Sequence, residues 1–201
     1  FTPGRDAARK EASKLNVPRI GVRFRLPASM NQVEYFGRGP AENYLDRNAG
    51  SMVGLYKSTA EELYFPYVRP QENGHHTDTR WVSLSTGKKG LLIQADNTIG
   101  FNALRNSIED FDDEEATGLP RQWSNFTPEQ VANHDEAAAK NVLRRQHHIN
   151  DITPRDFVEV CVDLKQQGVA GYDSWGSRPE PAYTLPANRE YNWGFTLIPL
   201  K

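Results

Sequence analysis

Apolar and polar residues alternate with a period of two along much of this chain, and this pattern limits its possible folds more than any other feature. Successive side chains of a β-strand point to opposite faces, so the alternation predicts strands with one buried face. Stretches of this kind are Val17–Leu26, Asp156–Leu164 and Glu190–Leu200. Further short strands or extended segments are expected at Val33–Phe36, Met52–Ser58, Tyr64–Arg69 and Ile99–Leu104. Glycine and proline separate the strands, as in Gly37–Pro40, where we expect a turn.

One pair of strands has a clear hairpin connection. Trp81–Ser85 and Gly90–Ala95 flank the glycine-containing segment Thr86–Lys89, which predicts two antiparallel neighbours. Neither a βαβ rhythm nor a solenoid repeat interrupts the series of short strands. The sequence therefore predicts a single, mainly β domain over residues 1–201, built as an antiparallel sandwich.

The overall composition excludes several classes of function. Hydrophobic residues make up 37% and charged residues 25% of the 201 residues, as in folded globular chains, and the formal net charge is -2. This balance predicts no binding to nucleic acid or to a membrane surface, and no apolar run approaches the roughly 20 residues of a membrane span. The first residue is Phe1 rather than methionine, so we expect an excised or processed piece of a longer protein.

The single cysteine, Cys161, rules out a disulfide framework and a cysteine-based zinc site. It lies in the alternating stretch Phe157–Leu164. We therefore predict that Cys161 is a small buried core residue rather than a catalytic thiol.

Residues 108–141 differ in character from the rest of the chain. Glu109–Glu115 is an acidic run, for which a solvated face or loop is a simpler interpretation than a cation site. Farther on, Thr127, Pro128 and Gln130 have the spacing of a helix N-terminus with a capping box. We predict a short acidic and helical insertion over residues 108–141 of the β scaffold.

Two pairs of adjacent histidines are candidates for binding chemistry. His75-His76 follow Glu72 in a polar segment that could bind a metal or supply an acid or base. Neighbours on an extended chain point to opposite faces, so one ion rarely takes both, and an ordered polar turn around Asn73-Gly74 explains the segment as well. For His147-His148 we expect plain surface or sandwich positions. We predict no metal site in this chain.

A tryptophan follows an acidic and a hydroxyl residue in Asp173-Ser174-Trp175, on a segment bounded by glycines. Such a ring can stack on the apolar face of a hexose while a carboxylate accepts its hydroxyl hydrogen bonds; a packed corner is the alternative. No histidine can be placed beside Ser174, so a nucleophilic triad is not supported. Glycoside hydrolysis uses two carboxylates a few ångströms apart, and no such pair stands out among the 26 Asp and Glu residues.

Three strings together resemble a known family. Tyr35–Arg47 resembles the G-x-GP-x-ENY-x-DR signature of the small-chain domain of LacZ-type β-galactosidases. Tyr67–Gly74 resembles the Y-x-x-P-x-ENG stretch of that domain, and Gly171–Trp175 resembles its G-x-DSW loop. The strings occur in the order of the family and span most of residues 17–200, whereas residues 108–141 match no pattern.

The resemblance implies glycoside hydrolase family two and a fold of its own. The domain would be an antiparallel supersandwich, similar to galactose mutarotase-like domains, and its first strands would precede Phe1, so that this chain is truncated at its N-terminus. The catalytic glutamates and magnesium ligands of such enzymes lie in a central barrel, so this chain would contain no catalytic residue, need no cofactor itself and be inactive alone. The parent would hydrolyse terminal β-D-galactosides such as lactose, with magnesium and sodium.

The resemblance also assigns the site residues and the partners. Trp175 would line the platform for the leaving-group sugar, while Asp173 and Ser174 would shape its loop; Tyr172 stands where the family often has a second aspartate. The partners would be the remaining domains of the same enzyme and its galactoside substrate, in a homo-oligomer of the cytoplasm or periplasm of a bacterial-type cell.

Three alternatives stay open. The chain could be a stand-alone carbohydrate-binding module, or a mutarotase-like epimerase that uses Glu72 with His75 or His76, although fold analogy is a weak argument for function. It could also be the small subunit of an enzyme that is split into two chains.

Overall fold

Seven β-strands form one antiparallel sheet in the computed structural model, which describes residues 15–111, 149–173 and 176–201. In chain order they are β1 (Arg19–Pro27), β2 (Gln32–Gly39), β3 (Met52–Thr59), β4 (His76–Ser85), β5 (Gly90–Leu104), β6 (Phe157–Gln166) and β7 (Phe195–Leu200). Across the sheet their order is β1-β6-β5-β4-β2-β3, and β7 pairs with β5. The mainly β, antiparallel class is confirmed, and the sheet is consistent with the sandwich that the alternation predicts.

Strand β5 organises this sheet because its 15 residues offer two separate pairing segments. Gly90–Ala95 pairs with β7, whereas Gly100–Leu104 pairs with β6. Strand β4 pairs with both parts of β5, so β6 and β7 share the opposite edge. The predicted hairpin between β4 and β5 is confirmed, with the Thr86 N–H donating to the Lys89 carbonyl at 2.9 Å.

Two sequence-based strand predictions need correction. Ile99–Leu104 is not a strand of its own, because β5 continues from Gly90 through residues 96–98 without a turn. Tyr64–Arg69 forms no strand. The side-chain amide of Asn73 binds the backbone of Phe65 instead. Its Oδ1 accepts the Phe65 N–H at 2.8 Å, and its Nδ2 donates to the Phe65 carbonyl. A side chain here replaces the ladder partner that a strand would need.

Two strand ends also differ from prediction. The turn expected at Gly37–Pro40 is wrong, because β2 continues to Gly39. A Cβ at Gly37 would overlap Thr79 of β4, so the glycine allows two strands to approach closely rather than ending one. The last strand begins at Phe195, five residues later than the alternation from Glu190 suggests.

Alternate positions of β2, β4, β5 and β6 bury a continuous apolar face. Its fully or almost fully buried members include Val33, Tyr35, Val82, Leu84, Ile93, Phe101, Ala103, Val158, Val160 and Val162. Burying a large aliphatic or aromatic side chain contributes roughly 1.5–3 kcal/mol, so this face accounts for much of the stability of the sheet. A second cluster joins Ile20, Leu185 and Tyr191.

The contacts divide the chain into two units. The described part of the first comprises residues 15–65, 73–105, 155–173 and 176–201, and includes all seven strands of the described residues. The described part of the second comprises residues 66–72, 106–111 and 149–154, with single 3₁₀ turns at Ile108–Phe111 and Ile149–Asp151. No helix in the described residues is long and apolar enough to cross a membrane.

Only the first four residues of the predicted insertion, 108–111, fall within the described residues. Asp110 is buried and accepts the Ser107 N–H at 2.9 Å, so this member of the acidic run serves as a local cap and not as part of a solvated face. The helix predicted from Thr127 and the pair His147-His148 lie outside the described residues. The insertion therefore stays a prediction.

Candidate functional site

Two of the three motif strings meet at a buried polar cluster, which we call the polar junction: Glu42, Asn43, Asn73, His75 and Thr77. Asn43 is completely buried and uses every hydrogen-bonding position of its amide. Its Nδ2 donates to the carbonyls of Arg38 and Ala41, both at 3.1 Å. Its Oδ1 accepts from Thr77 twice, from the N–H at 3.0 Å and from Oγ1 at 2.6 Å. Asn43 therefore ties the segment after β2 to the start of β4.

Glu42 makes the second link between these two segments. Its side chain is 5% exposed, and its Oε2 accepts from the Gly74 N–H at 2.7 Å and from the Tyr44 hydroxyl at 3.1 Å. Its Oε1 accepts from Arg47 at 2.8 Å. All of these donors point at a carboxylate, and hydrogen bonds to ionised acceptors are about twice as strong as neutral ones.

His75 is 1% exposed, and its ring stacks on Tyr44 with centroids 5.7 Å apart. Its Nδ1 lies 2.8 Å from Oδ1 of Asn102, whose Nδ2 donates to the Asn73 carbonyl at 2.6 Å. Oδ1 of Asn102 can only accept, so the hydrogen-bond network assigns the proton of neutral His75 to Nδ1. Burial and the nearby Arg19 guanidinium lower the pKa of His75 to about 3.

His76 is also completely buried, between Tyr35 and Phe101, each at a centroid distance of 5.0 Å. Its Nδ1 and Nε2 lie 3.1 and 3.2 Å from the carbonyls of Gly74 and Pro40. Burial lowers its pKa, although the two carbonyls partly offset that effect. Neither imidazole is thus presented to solvent.

A buried ion pair extends the network toward β1 and β6. Nε of Arg19 lies 3.2 Å from Oδ2 of Asp163, whose side chain is 1% exposed. Arg19 also donates to Asn102 at 2.9 Å and to Gln166. Cys161 is buried, which confirms the prediction that it is a core residue. Its Sγ lies 3.7 Å from Nη1 of Arg19. Burying such a pair costs desolvation free energy that offsets the attraction between the two charges, so the pair is weak evidence for stability.

The first motif string also reaches the third through Asp46. The carboxylate of Asp46 accepts from the backbone N–H groups of Val169 at 3.1 Å and Ala170 at 2.8 Å. The Tyr172 hydroxyl donates to the same carboxylate at 3.3 Å. Asp46 thereby holds the first half of the loop that carries the predicted sugar-binding sequence.

Of the three predicted sugar-site residues, Asp173 is within the described part of the chain, whereas Ser174 and Trp175 lie outside it. Asp173 is exposed, and its Oδ1 accepts the Ser177 N–H at 3.3 Å. The Tyr172 N–H donates to the Ser177 hydroxyl at 3.1 Å. These two bonds join Tyr172 and Asp173 to Ser177. The role of Asp173 in shaping a sugar-binding loop stays a prediction.

The polar turn predicted around Asn73-Gly74 is only half right. Gly74 does adopt a left-handed bend, with φ of +69°. The flanking Asn73, His75 and His76 are 3%, 1% and 0% exposed, however, so the segment is an interior one. Within residues 15–111, 149–173 and 176–201, no three His, Cys, Asp or Glu side chains are grouped as metal ligands would be.

The motif resemblance included Glu42, Asn43 and Asp46, but the sequence predicted no role for any of them. Their spacing in Glu42–Arg47 gives no sign of which carboxylate is buried and which faces another loop. The one usable signal is the density of polar residues just after a strand and a proline, which is typical of a segment whose side chains hold backbone groups.

The sheet and the polar junction define a β domain whose buried polar groups hold loops in place. The family model described as the beta galactosidase small chain matches residues 5–197. The chain therefore belongs to the beta galactosidase small chain family, as the three motif strings predicted.

Curated relatives agree with this family. The chain is 35% identical over 185 residues to a protein named beta-galactosidase from Priestia megaterium, covering 92% of this chain and 15% of the relative. It is 40% identical over 111 residues to one from an Arthrobacter species, covering 52% of this chain and 11% of the relative. A third, from Vibrio cholerae, is 29% identical over 181 residues, with 90% and 14% covered. The chain thus spans only about 15% of the length of the curated relatives it matches.

Proposed function

We propose that this chain is a non-catalytic domain of a β-galactosidase that hydrolyses terminal β-D-galactosides such as lactose. The observation that carries the proposal is the meeting of all three family motifs, since Glu42 accepts from the Gly74 N–H and Asp46 accepts from the Tyr172 hydroxyl. A carboxylate next to a buried polar cluster that holds the base of an exposed loop suits a domain that presents this loop to a site elsewhere.

Within that enzyme, Trp175 is the residue that would stack on the leaving-group sugar, and Asp173 and Ser174 would shape its loop. The neighbouring Tyr172 is 56% exposed, so the loop reaches solvent at the position where a sugar could approach. The domain would also support assembly of the enzyme, as a homo-oligomer. Magnesium and sodium would be held by the remaining domains.

The test of catalytic dependence uses the full chain and the rest of the enzyme. The full chain alone is expected to leave a chromogenic galactoside unhydrolysed, and mixing with the remaining domains is expected to restore hydrolysis. Hydrolysis by the chain alone would contradict the proposal, and so would full activity of the remaining domains without it.

The test of Trp175 distinguishes binding of the acceptor sugar from binding of the galactosyl group. In the complete enzyme, Trp175→Ala is expected to weaken glucose binding as an acceptor by roughly 5- to 100-fold, the equivalent of about 1–3 kcal/mol for a lost stacking contact. Inhibition by a galactosyl analogue is expected to change little. Trp175→Phe keeps a ring and should recover part of the loss. Trp193→Phe, where the ring packs on Phe195 at 5.3 Å, is the matched control. Unchanged acceptor binding in Trp175→Ala would refute the assignment.

A stand-alone carbohydrate-binding module is the second candidate, favoured by the same exposed loop. It predicts that the full chain alone binds galactose or lactose, so a flat calorimetric titration at millimolar sugar would exclude it. The epimerase alternative needs a histidine that can reach a sugar ring. Because His75 and His76 are 1% and 0% exposed, the structure disfavours it.

A further inference from the structure

Asp46 is a single carboxylate that receives three donors from one loop. The Val169 N–H lies 3.1 Å from Oδ1, the Ala170 N–H lies 2.8 Å from Oδ2, and the Tyr172 hydroxyl lies 3.3 Å from Oδ2. Two consecutive backbone N–H groups on one carboxylate fix the direction of the chain as well as its position. Exposed loops rarely have such a constraint, since water usually satisfies their backbone groups.

The loop is shaped to receive this carboxylate. A Cβ at Gly168 would overlap the Asp46 carboxylate, so only glycine leaves room for it. Ala170 and Gly171 follow with φ of 56° and 82°, in the left-handed region, which turns the chain sharply after the second bonded N–H. Left-handed alanine is uncommon and is held here by the bond from its own N–H to Asp46.

Asp46 in turn sits on a turn that cannot easily move. The backbone groups of Tyr44 and Arg47 pair in both directions, at 3.2 and 2.8 Å. The Tyr44 ring is 1% exposed and stacks on His75, and Arg47 is bonded to Glu42. A continuous chain of contacts therefore runs from the buried polar junction through this turn to the loop at Gly168.

We propose that Asp46 is the positioning residue of the sugar-binding loop: its carboxylate holds Gly168–Tyr172 against the turn at Tyr44–Arg47 and so sets the place from which the following residues meet the acceptor sugar. This inference rests on the proposed function of the loop. It goes further in naming a residue outside the loop, more than 120 positions away in sequence, that controls acceptor recognition without touching the sugar.

The test changes the carboxylate with the least change in shape. Asp46→Asn keeps one oxygen but turns an NH₂ group toward one of the two backbone donors. Hydrogen exchange of the peptide containing Val169 and Ala170 is then expected to become at least about tenfold faster, since hydrogen bonds to charged groups are the stronger class. Asp156→Asn, at an exposed aspartate before β6, is the matched control and should leave this peptide unchanged.

The functional readout is made in the complete enzyme. Because misplacing a binding group by a fraction of an ångström weakens its contacts, Asp46→Asn is expected to weaken glucose acceptor binding by about three- to tenfold. The rate constant for galactosyl transfer to water and inhibition by a galactosyl analogue should stay near their original values. A merely structural role would lower all of these together.

A second variant disturbs the same contact from the loop side, by a substitution at Gly168. Gly168→Ala places its Cβ on the Asp46 carboxylate and is expected to reproduce both effects, whereas Gly50→Ala, which meets nothing within 4 Å, should have none. Tyr172→Phe removes only the longest of the three bonds and is expected to have a smaller effect. These variants keep the proposal testable if Asp46→Asn fails to fold.

Three results would decide against it. Unchanged exchange in both Asp46→Asn and Gly168→Ala would show that the carboxylate does not hold the loop. Faster exchange with unchanged acceptor binding, in an enzyme where Trp175→Ala does weaken it, would overturn the positioning role and leave the proposed function intact. If Trp175→Ala itself changes nothing, the assignment of Trp175 fails and the link of Asp46 to acceptor recognition fails with it. Hydrogen exchange alone then decides whether Asp46 holds the loop.

Discussion

Replacing Asn43 by alanine tests whether the polar junction holds the fold together. The side chain makes four hydrogen bonds, two as donor and two as acceptor, and is 0% exposed. At a net value of about 1 kcal/mol each, their loss costs about 4 kcal/mol. The Thr77 N–H would in addition lose its partner in the interior, because Thr77 is only 8% exposed. Domains of this size have total stabilities of roughly 5–15 kcal/mol, so the loss would be a large part of the whole.

The assay is urea denaturation of the full chain, followed by circular dichroism and tryptophan fluorescence. A lower midpoint with an unchanged dependence on urea reports a loss of stability rather than a change in the unfolded chain. Asn43→Asp is the sharper companion, because it keeps the shape and both acceptors while turning an oxygen toward the carbonyls of Arg38 and Ala41. It should cost at least as much as alanine at neutral pH and recover when the new carboxyl is protonated.

The control is Asn192→Ala, an exposed asparagine bonded to Glu190 at 3.0 Å, for which we expect a change within about 0.5 kcal/mol. A loss below about 1 kcal/mol for Asn43→Ala would refute the reasoning. It would mean that water or neighbouring groups replace the amide, and that the junction is not tightly packed.

Two further predictions concern the interior. The pKa of His75 is about 3 in the folded chain against an ordinary value of 6.5, so between these values the unfolded chain binds a proton that the native ring does not. The free energy of unfolding should therefore fall as the pH drops below 6.5, and His75 should account for about 2 kcal/mol of this loss at pH 5. A free energy of unfolding that stays constant from pH 6.5 to 5 would contradict the assignment of His75 as neutral in the folded chain. Phe101→Ala, at a fully buried position, is expected to cost about 3–5 kcal/mol in the same urea assay, while Leu197→Ala, at a residue 48% exposed, should cost far less; equal losses would show that the apolar face is not where the stability lies.

The interior contains buried charged and amide groups where apolar side chains could have packed. An apolar replacement of the pair Arg19 and Asp163 could be as stable as the pair itself, since burying charges is costly. Charged and amide groups, however, accept only one arrangement of the segments around them. The network through Asn102 and His75 contacts the turn that holds Asp46, because the His75 ring stacks on Tyr44.

The strands were the most predictable part of the fold. Their alternation is local, so β1 and β6 could be predicted from the spacing of their apolar residues, and the hairpin of β4 and β5 from its glycine-containing loop. The wrong strand and turn predictions occur where a group that is distant in sequence changes the backbone pairing. Asn73 takes the backbone of Phe65, and Gly37 lets two strands approach where a turn was expected.

The candidate site was less predictable, and the histidines show why. His75-His76 looked like a polar turn, yet both rings lie in the interior, stacked on Tyr44 and Phe101 respectively. Polarity alone cannot separate an exposed histidine from a buried one whose hydrogen bonds are satisfied, because the partners come from other parts of the chain. The loop tryptophan Trp175 stays a prediction from motif resemblance.

By itself, the sequence determined that this chain is a mainly β domain and, through three motifs in order, to which family it belongs. Both conclusions depend on neighbours within a few positions, where side-chain direction follows directly from the backbone. Only the tertiary structure decided which polar residues are buried and what they hold. The bond from Ala170 to Asp46 joins residues 124 positions apart, and pairing at that distance is settled by the packing of the whole sheet rather than by any local pattern.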